Sequence, residues 1–146
     1  MNSKGFTLIE VLSVLVILSM VYLIAMPSLN TVDRTRNMSF ISNCKLISSR
    51  AYIMSTDDNY SSYFNNGKIF VKDINGISNL KDPYDGEIKS DSYVLFKDEL
   101  EEGVKVSKTY IYIKTCNGNK CHVIGDINAP VSDSKLTYKD VKEISN

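Results

Sequence analysis

The sequence predicts an α+β fold in which a long N-terminal helix packs on a small antiparallel sheet. Three patterns support this class. An apolar run covers residues 6–26, apolar residues then recur at helical spacing up to Met54, and short apolar groups separated by turn residues follow. The 146 residues have room for one compact domain and an appendage.

The composition gives no specific signal for nucleic acid. The 17 basic residues balance 17 acidic ones, and the arginines form no long basic block.

The apolar run is long enough to span a membrane, because a helix of this length rises about 32 Å against a hydrocarbon core of about 30 Å. A cleaved secretory signal is disfavoured, since the run exceeds the usual apolar region and no small-x-small cleavage pattern closes it. A simple anchor gives no reason for Glu10, the only charged residue in the run. An acidic residue in a span is a functional hypothesis by default.

The stretch KGFTLIEVL, residues 4–12, resembles the processing site of type IV prepilins and pseudopilins. The resemblance implies a pilin fold, cleavage after Gly5 by a membrane-embedded prepilin peptidase, and N-methylation of the new first residue, Phe6. It also implies that Glu10 meets the Phe6 amine of a neighbouring subunit during filament assembly. Each charge would be costly alone in an apolar environment, so the pairing is physically reasonable.

The chain then divides into four expected parts: a leader at 1–5, a transmembrane and filament-core helix at 6–26, an amphipathic continuation at 27–56 and a sheet-containing head at 57–146. Pro27 lies at the junction, where it is expected to loosen or kink the helix and to affect assembly. The continuation has an apolar face and a polar face. The apolar face comprises Leu29, Val32, Phe40, Ile47, Ala51 and Met54, and the polar face comprises Asn30, Asp33, Asn37, Asn43, Lys45 and Arg50. Cys44, near the apolar face, is expected to fill the core.

The head is expected to begin after a helix end near STDDNYSS, residues 55–62. KIFVKDINGISNL predicts a short strand or a helical turn, and SYVLF predicts a strand. VKVSKTYIYIKTC predicts a strand or a bent pair, and CHVIGDI predicts the returning strand after a turn at NGNK.

Two motifs of the head suggest chemistry. LKDPYDGEI resembles a helix-to-sheet loop of pseudopilins and Gram-positive pilins. Without the N-terminal match, an ordinary turn would be the better interpretation, since Asp-Pro and Asp-Gly both start turns. Asp82, Asp85 and Asp126 are too few and too scattered to predict a calcium site. In CNGNKCH, a disulfide between Cys116 and Cys121 is favoured over a redox or metal site, and His122 is expected to have no special chemistry.

No pattern indicates an enzyme or a cofactor, so the choice lies between a filament subunit and a membrane-tethered binding domain. The resemblance favours a structural subunit of a type IV pilus. A pseudopilin of a type II secretion or competence system shares the same N-terminus and stays open. The expected partners are other pilin subunits, the prepilin peptidase, the inner-membrane assembly platform with its ATPase, and membrane lipid before assembly. The expected location is the cell membrane, and then the extracellular filament.

Overall fold

A computed structural model describes residues 7–145 and, for residues 26–30, the backbone only. Gly5 and Phe6 therefore lie outside the described residues. The chain divides into two compact units, Met1–Thr35 and Arg36–Asn146. We call them the N-terminal unit and the C-terminal unit. The predicted α+β class is confirmed, and the four-part division of the chain stays a prediction.

Helix α1 covers Leu8–Ser55, including Pro27, and so belongs to both units. In the N-terminal unit, residues 8–25 have a mean hydropathy of 2.6, and none of their side chains is buried. By length and composition, this part of the helix can cross a membrane.

The part of α1 in the C-terminal unit buries one face. Phe40, Cys44, Ile47 and Ala51 are at most 2% exposed and follow the helical period. The predicted position of Cys44 in the core is confirmed, and its burial raises the pKa of the thiol.

The predicted apolar face is wrong at Val32, which is 47% exposed. Periodicity identifies residues that share a helix face, but it does not show how far along the helix a packing partner extends. The predicted polar face also needs correction, because two of its residues are half-buried. Asn37 donates to the Tyr138 carbonyl at 3.1 Å, and Asn43 donates to the Lys81 carbonyl at 2.9 Å.

The C-terminal unit contains a seven-stranded antiparallel sheet in the order β1-β3-β4-β5-β7, in which β2 and β6 also pair with β4. The strands are β1 Lys68–Phe70, β2 Glu87–Ile88, β3 Tyr93–Glu101, β4 Val104–Asn117, β5 Lys120–Ile124, β6 Val131–Ser132 and β7 Lys142–Ser145. Four short 3-10 helices lie at Asp58–Tyr63, Val71–Asp73, Asp133–Lys135 and Tyr138–Asp140. Strand β4 is thus one central strand, which settles the choice between a strand and a bent pair.

The core forms where α1 meets one face of this sheet. Ile69, Val94 and Ile111 lie opposite one another on β1, β3 and β4 and are fully buried with Phe40 and Ile47 in one cluster. Alternation along a strand places the next residues on the other face. Tyr93, Tyr112 and Val123 form a smaller buried cluster of their own.

The hairpin predicted at NGNK is present, but its two central residues are not the expected Asn-Gly pair. Asn117 is the last residue of β4 and pairs with Lys120, so the loop consists of Gly118 and Asn119. Gly118 has a φ of 59°, whereas neither asparagine has a positive φ. A glycine at the first central position suits a two-residue hairpin, so the turn depends on glycine and not on the Asn-Gly pair.

Candidate functional site at the N-terminal helix

The Glu10 carboxylate is engaged within its own chain. The backbone N–H and the hydroxyl of Thr7 both donate to Glu10 Oε2, each at 2.8 Å. The Glu10 backbone N–H in turn points to the Thr7 hydroxyl at 3.4 Å. This reciprocal arrangement is a capping box, with Thr7 before the first helical residue and Glu10 in the first turn. Glu10 therefore has a local role that the sequence analysis missed.

The signal for this box was present in the sequence. Thr7, Leu8, Ile9 and Glu10 match the Ser/Thr-x-x-Glu pattern that precedes an apolar helix. Among residues 7–145, no cationic side chain forms an ion pair with Glu10. Cleavage after Gly5 would leave the Thr7 N–H as a peptide amide, so the box can persist in a mature chain.

Two serines of the span also satisfy their hydroxyls locally. Ser13 donates to the Glu10 carbonyl at 2.9 Å, and Ser19 donates to the Leu15 carbonyl at 2.7 Å. Hydroxyls that return to the helix backbone present no unpaired donor to an apolar environment. What the segment offers outward is apolar surface, with large side chains 45% to 86% exposed between Leu8 and Ile24. Such a surface requires lipid or other apolar helices around it.

In the C-terminal unit, a disulfide joins Cys116 on β4 to Cys121 on β5, where the two residues face each other across the hairpin. The LKDPYDGEI loop packs against the same strand. A Cβ added at Gly86 would lie 3.1 Å from the Cys116 carbonyl group, and Asn117 donates to the Tyr84 carbonyl at 3.2 Å. Both motifs are visible in the sequence, but their contact is not, because it depends on the pairing of β2 with β4.

Asp82 organises this loop. Its Oδ2 accepts from the Gly86 N–H at 2.8 Å, and its carbonyl accepts from the Asp85 N–H at 3.1 Å. Burial raises the pKa of the Asp82 carboxyl. Asp126 lies in a different turn, where its Oδ1 accepts from the Asn128 N–H at 3.0 Å. Within residues 7–145, no group of three potential metal ligands is present.

His122 stacks on Tyr84, with ring centroids 3.5 Å apart and planes 4° from parallel. Its Nε2 lies 3.7 Å from Glu143 Oε2. Burial lowers the pKa of His122, against the opposite influence of Glu143 and Asp82. The expectation of a plain strand residue therefore omitted a stacking role.

Residues 1–26 match the family model described as the prokaryotic N-terminal methylation motif. This motif is the prepilin-type processing site of type IV pilins, so the resemblance seen in KGFTLIEVL is confirmed. The match supports a type IV pilin-like or pseudopilin precursor, and a membrane-anchored location fits it. No curated protein and no solved structure shows a significant match to the chain.

Proposed function

We propose that this chain is a structural, non-enzymatic subunit of a type IV pilus or pilus-like filament. The observation that carries the proposal is the methylation motif joined to a span whose side chains are all exposed. A segment that buries nothing in its own chain gains stability only from lipid or from neighbouring helices. A filament subunit meets both environments, first lipid in the membrane and then neighbouring helices in the filament core.

Maturation would remove residues 1–5 and leave a methylated amine on Phe6. Glu10 is the acidic partner for that amine on a neighbouring subunit, since a lone ammonium in an apolar filament core is strongly disfavoured. The prepilin peptidase, the assembly platform with its ATPase, and other pilin subunits are the proposed partners. The same proposal covers a pseudopilin filament of a secretion or DNA-uptake system.

The mature N-terminus tests the processing step. Mass spectrometry of chain recovered from the membrane should show N-methylated Phe6 as the first residue, and Gly5→Val should leave the chain uncleaved. An intact Met1 in the wild-type chain would instead identify a simple membrane anchor.

The assembly step is tested at Glu10. Glutamine at this position still completes a capping box but carries no charge, so Glu10→Gln separates the local role from the pairing role. We expect normal insertion and cleavage, but at least about a tenfold lower share of mature protein in sheared surface filaments, which corresponds to about 1.4 kcal/mol. Glu10→Asp should fall between the glutamine variant and wild type. Equal recovery of wild type and both variants in filaments would show that Glu10 is not an assembly contact.

A further inference from the structure

The sheet face that points away from the core collects lysines and aromatic rings. Lys68 of β1 lies opposite Leu95 of β3, which lies opposite Tyr110 of β4, and Phe70 lies opposite Tyr93. Residues two apart on a strand share a face, so Lys97 belongs to the same surface as Leu95. The alternate row, Ile69, Val94 and Ile111, is buried in the core. We call the outward surface the lysine–aromatic face. It comprises Lys68, Phe70, Tyr93, Lys97 and Tyr110 of the sheet, together with Lys72 of the 3-10 helix that follows β1.

Each lysine of this face lies over a ring. The Lys68 ammonium is 3.7 Å from the Tyr93 ring centroid and 5.0 Å from that of Phe70. Lys72 lies 5.7 Å from the Phe70 centroid, and Lys97 lies 5.9 Å from the Tyr110 centroid. These are cation–π distances, which hold a cation near the surface without neutralising its charge.

The three lysines form no ion pair among residues 7–145, although Lys105, Lys108 and Lys120 do. Glu99 lies two residues from Lys97 on the same face of β3. Its direct contacts are with other groups, because one oxygen pairs with Lys108 at 2.9 Å and the other accepts from the Tyr110 hydroxyl. These two contacts lower the pKa of Glu99, and Lys97 contributes to the same shift from a longer range. No direct ion pair among the described residues therefore keeps these three lysines from an external anion.

The exposure of the Phe70 ring indicates that the anion also carries planar groups that can stack on it. Phe70 is 38% exposed and lies within cation–π distance of the Lys68 and Lys72 ammonium groups, whereas Tyr93, under Lys68, is 3% exposed. Lys72 and Lys97 are exposed, and Lys68 and Tyr110 are half-buried. An exposed aromatic ring beside cations on a surface suits a ligand that carries both planar bases and phosphates, as a single nucleic-acid strand does. Bases in a duplex are already stacked and would leave the Phe70 ring without a role.

We propose that the lysine–aromatic face binds single-stranded nucleic acid, with phosphates on Lys68, Lys72 and Lys97 and a base stacked on Phe70. This activity goes beyond the filament role and does not depend on assembly. The balanced composition gave no sign of it, because strand pairing, and not sequence proximity, brings Lys97 to the same face as Lys68.

The test measures binding of the full chain, in non-ionic detergent, to fluorescein-labelled oligothymidine of about 20 nucleotides by anisotropy. Three phosphate contacts predict that log K falls with log [NaCl] with a slope of about −2. Replacing all three lysines by glutamine should abolish this slope and weaken binding at least about tenfold. The matched control replaces Lys81, Lys135 and Lys139, which are exposed lysines outside the face, and should bind like wild type.

Phe70→Leu examines the stacking step, since leucine keeps apolar volume but removes the ring. Binding of oligothymidine should weaken by about fivefold or more, while binding of inorganic polyphosphate should not change. Far-ultraviolet circular dichroism verifies that each variant is folded. Equal affinity of the two triple variants would overturn the proposal. An unchanged affinity of Phe70→Leu for oligothymidine would also overturn it, and would leave a site for polyanions in general.

Discussion

The two units of the chain place the same aliphatic residue types in opposite environments, exposed in the N-terminal unit and buried in the C-terminal unit. Between Leu8 and Ala25, aliphatic side chains cover the outside of a helix and none is buried. In the C-terminal unit, aliphatic side chains such as Ile69, Ile111 and Ile113 are fully buried between α1 and the sheet. The C-terminal unit carries its own core, whereas the N-terminal unit depends on its surroundings. A buried isoleucine therefore stabilises the fold of the C-terminal unit, whereas an exposed isoleucine in the span contacts whatever surrounds the helix.

The largest expected effect comes from the same substitution made in each unit. Ile111→Ala removes a fully buried side chain and should lower the free energy of unfolding of the C-terminal unit by about 2–5 kcal/mol. Ile17→Ala, at a residue that is 60% exposed, should leave that free energy within about 0.5 kcal/mol of wild type. Denaturant titration in detergent, followed by near-ultraviolet circular dichroism, measures both. Equal losses would contradict the division into two units.

The disulfide is the next largest contribution and acts only in the C-terminal unit. Replacing Cys116 and Cys121 by serine opens a very short loop, so the loss should be roughly 2 kcal/mol or less. Because the LKDPYDGEI loop packs on the Cys116 strand, amide hydrogen exchange should accelerate at Tyr84 and Gly86. In wild-type protein without reductant, the peptide containing both cysteines should be lighter than its reduced form by the mass of two hydrogen atoms. Free thiols at both positions would contradict the bridge.

The capping box gives a smaller effect, confined to the N-terminal unit. Thr7→Val keeps the shape of the side chain but removes its hydroxyl, at a cost of about 1 kcal/mol to the first helical turn. Amide exchange at Ile9 and Glu10 should become about fivefold faster. Thr7→Ser should restore the wild-type rate, and neither variant should alter exchange in the C-terminal unit. A uniform acceleration along the whole chain would mean that Thr7 acts on more than its own turn.

The smallest effect is a pH dependence at His122. The folded-state pKa is lowered, so below the ordinary value of about 6.5 the unfolded chain binds more protons than the folded one. Stability is therefore complete above that value and falls as the pH drops through it toward the lowered folded-state pKa. The charged groups around the ring are Glu143 and Asp82, which raise the pKa, and Lys120 and Arg36, which lower it. Thermal melts between about pH 5 and pH 7.5 measure this slope.

His122→Phe is the matched variant for that measurement. Phenylalanine can keep the stack on Tyr84 but cannot take up a proton. Its melting temperature should change less over the same pH range than that of wild type. An identical slope in the two proteins would assign the pH dependence to other groups.

The sequence alone determined the features that depend on near neighbours in the chain. The span, the processing motif, the end of α1 at the polar stretch after Met54 and the Cys116–Cys121 hairpin all follow from local patterns. The capping box at Thr7 and Glu10 is equally local, and its Ser/Thr-x-x-Glu pattern is visible in the sequence. Local features can be predicted because the residues that make the contact are only a few positions apart.

Only the tertiary structure decided which distant segments meet. Strand β4 is central because β2, β3, β5 and β6 all pair with it, and no pattern within β4 identifies those partners. Register across β1, β3 and β4 brings Lys68, Lys97 and Tyr110 to one face. The exposure of Val32 and the half-buried Asn37 were decided in the same way, by where a packing partner is present along a helix face. Periodicity fixes the direction of a side chain relative to its own element, whereas its environment depends on residues far away in the sequence.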